Sequence, residues 1–499
     1  MNHQSFILVV ALVAGHAGTV VADTAPPSVA SRCGACHALP PANVLPQNKW
    51  REIIQKMYEL AAGTVNAIAP SEFETIIHWY ESSAPEKLEA ALWKADFDRT
   101  STQYRSTLVP SVTDHSQVSD VFFADILPAP GVELVVVDMG AASILAGPPM
   151  GPLEVLVRTR LPLRAQVVDL DRDGFADLLI AGIGWATPSD ANLGTITAAF
   201  GSPDGKFQLR QLARRLGRVS DARAADFDGD GDLDVVSSVF GNRSGAIIML
   251  ENLGGRSFSS PITLDSRSGA VRVVPADLNS DGRIDIVTAF SQEHETIAAF
   301  LNQGKFIFET NELYRAPHPN WGMNGLTIAD LDGDADLDVV FTNGDSMDDG
   351  VRFKPWHGVS WLEQRPGFRF EPHDIGKLYG AVSPLVADID GDGDSDVVAG
   401  SWFLESPTLD ESNDPPGAVL FEQVRPGYFV SHALLESGST IPTLAALDNG
   451  GDVPEVLAFG YYRLAGIPGH SALVLTRNPN SGNSETDQSV ESPDGTKAQ

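Results

Sequence analysis

The chain has 499 residues, more than one ordinary domain needs, with 34 basic and 66 acidic side chains and a formal charge of −32. That balance excludes nucleic acid, which needs a basic surface to displace counterions, and it disfavours docking on anionic lipid. The acids therefore either solubilise the surface or hold cations, and their placement decides which.

Phe6 to Gly15 is an apolar run too short to span a bilayer, and Val20-Val21-Ala22 offers small residues for cleavage. Residues 1–22 read as a secretory signal peptide, although Met1 to Ser5 contains no Lys or Arg. No later apolar run approaches membrane-spanning length. The expectation is a protein secreted across the inner membrane, periplasmic or extracellular.

After a Pro/Ala/Ser spacer (23–31), Cys33-Gly34-Ala35-Cys36-His37 spells C-x-x-C-H with the chain's only two cysteines. This spacing attaches a c-type haem. Each thiol adds across one haem vinyl group, and His37 follows as an axial iron ligand. A zinc half-site would need a second Cys/His pair. One covalent haem c per chain is expected, which agrees with export, since bacteria attach haem outside the cytoplasm.

Pro40, Pro41 and Pro46 then force an extended loop. Trp50, Ile53, Ile54, Met57 and Leu60 recur at helical spacing up to Ala62. Ser71 is placed to cap a second helix, with Glu72 and Glu74 in its first turn and Phe73, Ile76, Ile77 and Tyr80 inward. Residues 23–92 are expected to form a small all-α domain around the haem. The stretch from Cys33 through Leu45-Pro46 and Trp50 to Met57 resembles short cytochrome c domains of bacterial secreted proteins. That resemblance implies Met57 as the distal iron ligand, with His78 as the alternative. A His/Met iron would carry electrons rather than activate small molecules.

From residue 93 to 478 the chain repeats itself. Asp169–Asp177, Asp226–Asp234, Asp277–Asp285, Asp330–Asp338 and Asp388–Asp396 share the phrase D-x-[DN]-x-D-[GA]-x-x-D, each followed by a β-rich run. Worn copies begin at Asp125 and Ala446. Between them recurs an apolar strand, a turn and an aromatic strand, as in Ile247 to Phe258. Each unit reads as about four short strands, and seven units predict a seven-bladed all-β propeller. Residues 103–111 look like an orphan outer strand that completes the last blade. Residues 479–499 are a polar tail with the composition of disorder.

The acidic phrase places oxygens at loop positions 1, 3, 5 and 9 and a backbone carbonyl at 7, an oxygen-rich set that suits hard Ca²⁺. Position 12 lacks the bidentate Glu of an EF-hand, and the flanks are strands. The segment 103–478 resembles FG-GAP (VCBS) repeats of the integrin-α type. About five structural calcium ions are expected. Their ligands would be Asp169, Asp171, Asp173 and Asp177; Asp226, Asp228, Asp230 and Asp234; Asp277, Asn279, Asp281 and Asp285; Asp330, Asp332, Asp334 and Asp338; and Asp388, Asp390, Asp392 and Asp396.

Ahead of the loops, one alternating set (Arg164, Gln166, Asp221, Arg223, Arg272) is expected to face the central channel and the apolar set (Ala165, Val167, Ala222, Ala224, Val273) to face away. A long stretch, Thr342 to His357, gathers Asp345, Asp348, Asp349, Trp356 and His357 near Trp361, His318 and Trp321, either as a binding site or as a packed loop tip. No nucleophile elbow, HExxH or dinucleotide fingerprint occurs, so no catalytic residue is assigned. The whole reads as a secreted monohaem c-type cytochrome with an electron-transfer role, its calcium-stabilised propeller docking a redox partner or ligand. Two alternatives stay open: a haem-linked oxidoreductase with substrate on the propeller, and an adhesion-type binding module.

Overall fold

The computed structural model describes residues 25–88, 98–99, 104–187, 189–345, 347, 351, 353–403, 415–437, 440–447, 454–461 and 470–477. The expected signal peptide and tail, and Asp348 and Asp349, lie outside these.

Three helices form the N-terminal unit: α1 (Pro27–Cys33), α2 (Gln47–Ala61) and α3 (Pro70–Ser83). The sequence reading made 23–31 a spacer. Instead, Pro27 occupies the first helical turn, where its missing N–H costs nothing, and buried Val29 anchors α1 to the core. Trp50 and Ile54 of α2 meet Ile76, Ile77 and Tyr80 of α3, with Val44 and Leu45 closing the core. The Trp50 and Tyr80 rings stack with centroids 3.9 Å apart. Their polar ends pin the proline-rich loop: Trp50 Nε1 donates to the Ala42 carbonyl at 2.9 Å and Tyr80 Oη to the Pro40 carbonyl at 3.1 Å. The expected Ser71 cap is corrected. Pro70 takes the first helical position, and the Glu72 carboxylate accepts the Ala69 N–H at 3.0 Å.

The rest is a seven-bladed propeller of antiparallel four-stranded sheets. Blades one to six span 118–158, 162–216, 218–265, 270–315, 325–377 and 381–437. The seventh combines 443–477 with Tyr104–Pro110, which pairs antiparallel with His470–Arg477 from Tyr104↔Arg477 onward. The expected closure by 103–111 therefore holds. An additional short pairing, Asp98–Arg99 against His432 and Ala433, extends blade six.

Second strands such as Asp177–Gly182 and Asp234–Phe240 are buried along their whole length, which explains their unbroken apolar runs. The core lies between blades rather than within one. Leu179 and Ile196 of blade two pack with Val219 and Val235 of blade three, and Val118 and Val136 of blade one with Val456 and Val474 of blade seven. Each acidic loop joins the first strand of its blade to the second. The connections between second and third strands, and those between blades, therefore emerge on the opposite face.

Candidate functional site: haem motif, acidic loops and channel

α1 delivers Cys33 at its last residue, and the chain turns through Gly34. A Cβ at Gly34 would come 2.7 Å from the Ala30 carbonyl oxygen, so the spacer needs glycine there. Both cysteines are free thiols, Cys36 exposed and Cys33 half-buried, and His37 is half-buried. Burial pushes the Cys33 thiol up, opposed by Tyr80. Asn66 Nδ2 lies 3.2 Å from Cys36 Sγ, which brings the loop after α2 to the motif. The same end of α2 and its loop expose Met57 (39 %), Leu60 (43 %) and Val65 (98 %). Two thiols, an imidazole and uncovered apolar side chains fit a flat apolar group held by thioethers. Met57 is thus outside the packed core formed by Trp50 and Ile54. His78 is exposed beside buried Ile77.

The helical unit is seated on the propeller. Trp356 and Val351 pack against its core, and Asn320 Nδ2 reaches the Val44 carbonyl at 3.5 Å. Behind Trp356 stands an aromatic group: its ring lies parallel to Trp321 at 6.4 Å, and His318 contacts both edge-on at 4.7 and 5.3 Å. Trp356 Nε1 donates to the Asn320 carbonyl at 3.2 Å, and buried Lys354 donates to Asn320 Oδ1 at 3.1 Å. Burial pushes the His318 ring down to about 4. The aromatic stretch is therefore a seam between units rather than an open loop. Trp361, grouped with it from the sequence, belongs elsewhere. It lies on the following strand, 3 % exposed, in the core shared by blades five and six.

In the acidic loops, Asp169/Asp171/Asp177, Asp226/Asp228/Asp230, Asp330/Asp332/Asp338 and Asp388/Asp390/Asp396 each bring three carboxylate oxygens within 4.8 Å of one another. Among the described residues, Asp277, Asp281 and Asp285 do not converge in this way. Backbone N–H groups hold the carboxylates in place. In the second loop, Asp226 accepts from Gly229 at 2.7 Å and Gly231 at 2.9 Å. Arginines meet carboxylates in three loops: Arg256 pairs with Asp171 and with Asp173, Arg283 with Asp281, and Arg172 of the first loop with Asp232 of the second at 3.0 Å.

The ninth position has a second task that the sequence reading missed. Asp234 is buried, and its two oxygens accept the N–H of Phe227 (3.2 Å) and of Asn252 (2.8 Å), clamping loop to third strand. Asp177, Asp285, Asp338 and Asp396 repeat this. Glu133 does part of it in the worn first copy, accepting from Ile126 at 3.0 Å. Burial pushes Asp177, Asp234 and Asp338 up to about 6 and Asp396 to about 7. Asn252, Asn302 and Gln423 also reach back to the preceding blade, donating to Leu170, Phe227 and Leu331 carbonyls at 3.1, 2.7 and 3.0 Å. A further ligand-like group, Glu363, Glu371 and His373, sits on blade five, but Arg365 already lies 2.5 and 3.4 Å from its carboxylates.

The expected channel residues do meet. Arg164 pairs with Asp120 of blade one at 3.5 Å. Asp221 takes Arg223 at 3.0 Å and Arg272 of blade four at 3.3 Å. Gln166 Oε1 accepts the Ala224 N–H at 2.8 Å, tying blade two to blade three.

Two family models match. One described as Dihaem cytochrome c covers residues 29–125, and one described as FG-GAP-like repeat covers 169–237, 226–288 and 277–341. The chain thus contains a cytochrome c domain and, within blades two to five of the propeller, FG-GAP-like repeats. No curated protein sequence matches. Similar solved structures include a streptogramin B lyase (12 % identity, TM-score 0.49, 76 % of this chain and 100 % of that one). Others are a catalytically inactive virginiamycin B lyase from Staphylococcus aureus (11 %, 0.45, 75 % and 99 %) and an α-L-arabinofuranosidase from Fusarium graminearum (12 %, 0.40, 64 % and 93 %). At these identities and scores the likenesses say nothing of activity. Among the described residues, no helix is long and apolar enough to cross a membrane.

Proposed function

We propose that the chain is an extracytoplasmic monohaem c-type cytochrome that transfers electrons, its propeller serving as a rigid, cation-stabilised platform for a redox partner or ligand. The observation that carries this reading is the C-x-x-C-H turn at the end of α1, beside uncovered apolar side chains and inside the cytochrome c match. Cys33 and Cys36 would hold the haem by thioethers, and His37 would ligate its iron. Haem c supplies a one-electron couple when bound. The matching family is described as dihaem, but two cysteines make only one such motif, so a single haem is proposed. Met57 is proposed as the sixth ligand over His78, because it sits on the apolar surface that the haem would cover. The covalent motif also argues for export.

The acidic loops would hold Ca²⁺, most tightly in 226–234, 330–338 and 388–396, where three carboxylates converge without an arginine on them. Voltammetry of the haem-loaded protein tests the electron-transfer reading. A reversible one-electron couple with a low-spin spectrum is expected. A high-spin haem that takes up carbon monoxide when reduced would overturn it. One observation favours the haem-linked oxidoreductase as second reading: the charged end of the channel and the helical unit share a face of the propeller.

A further inference from the structure

The charged residues of the innermost strands are confined to blades one to four. Asp120, Arg164, Asp221, Arg223 and Arg272 face one another across blade boundaries, and all but Arg223, sixth of the eight residues of its strand, stand in the first half or middle of their strands. That end of the channel opens away from the acidic loops, on the side that carries the helical unit. The one other charged residue on the innermost strands, Arg218, lies instead with its guanidinium over the Phe240 ring at 5.3 Å.

Three guanidiniums face two carboxylates, which leaves one positive charge uncompensated. The carboxylates are also engaged with the protein. Asp120 accepts from the Ala165 N–H and from Thr443 Oγ1, both at 3.3 Å, and Asp221 Oδ1 accepts the Ala222 N–H at 3.0 Å. They tie blades to one another. The guanidiniums are engaged only in part. Among the described residues, Arg164 and Arg272 each meet one carboxylate and nothing else, and Arg223 adds one backbone carbonyl, Ala165, at 3.5 Å. An arginine has five N–H donors, so most of theirs have no protein acceptor. Buried Arg272 Nη1 and Asp221 Oδ2 lie side by side without a well-formed hydrogen bond. Burial, and next the repulsion of Arg164, push the Arg272 guanidinium down to about 9.

We propose that this end of the channel is a binding site for a small organic carboxylate, held by the free N–H groups of Arg164, Arg223 and Arg272. A planar monoanion completes the charge balance and matches the guanidinium fork in two-point hydrogen bonds. In a chain of formal charge −32, this convergence of arginines runs against the overall charge balance. The site stands whether or not the haem accepts electrons from what binds there.

Calorimetric titration of the calcium- and haem-loaded full chain with acetate, malonate, inorganic phosphate and glucose tests the proposal. A carboxylate should bind and raise the melting temperature. Arg164→Gln should weaken that binding by about tenfold or more. Arg164→Lys, which keeps the charge and the Asp120 pair but not the fork, should weaken it too. A melting temperature close to that of the wild type shows that the variants fold. Absence of carboxylate binding at about 1 mM, preference for phosphate or glucose, or equal affinity in both variants would overturn the proposal.

Discussion

His318 is held neutral between two indoles at the seam, with its folded pKa near 4, below its ordinary value near 6.5. Its contribution to stability is complete above about pH 6.5 and is lost as pH falls towards about 4, because the unfolded chain takes up the proton first. The stability difference between wild type and His318→Asn, measured by thermal unfolding across that window, should therefore shrink on acidification. A constant difference would contradict it. Met57→Ala should remove the weak near-infrared thioether–iron band and lower the reduction potential, whereas an unchanged spectrum would point to another ligand. The haem motif was legible because its chemistry is local: two thiols and an imidazole within five residues. Trp361 was misgrouped because nearness in sequence does not say on which side of a strand boundary a side chain falls.

At the scale of elements, the clustering of the acidic loops was legible for the same reason, since their carboxylates are contiguous in sequence. The tie from Asn302 to Phe227 was not, because it crosses to another blade. Asn302→Ala strands the buried Phe227 carbonyl and the half-buried Ile284 carbonyl, and should cost about 1–3 kcal/mol in denaturant unfolding. No measurable loss would contradict the tie. Position six of each loop has positive φ, filled by Gly174, Gly231, Gly282 and Gly393 but by Ala335 (φ 74°) in blade five. Ala335→Gly should therefore stabilise the metal-loaded propeller by about 1 kcal/mol, and a destabilised variant would refute the strain. α1 escaped the sequence reading because Pro and Ala suggest a linker, while the helix depends on burying Val29 against partners 15 and more residues away.

Across the whole molecule, two units of different chemistry share one chain. The propeller brings carboxylates together in four of the five acidic loops, so a cation should stabilise it by mass action, about 2.7 kcal/mol per site at a hundredfold excess over the dissociation constant. Chelation should lower the propeller's melting transition and leave the haem spectrum unaltered, and identical melting curves would reduce the loops to acidic turns. Seven blades and their closure were legible as a repeat with an orphan strand. The seating of the helical unit on Trp356 was not, since it depends on two surfaces far apart in sequence. The most direct test of the central claim is the intact mass of the protein after denaturation, from cells that mature c-type haem. One haem per chain is predicted, lost when Cys33 and Cys36 are both replaced by Ala; no covalent haem, two haems, or retention in that double variant would contradict it.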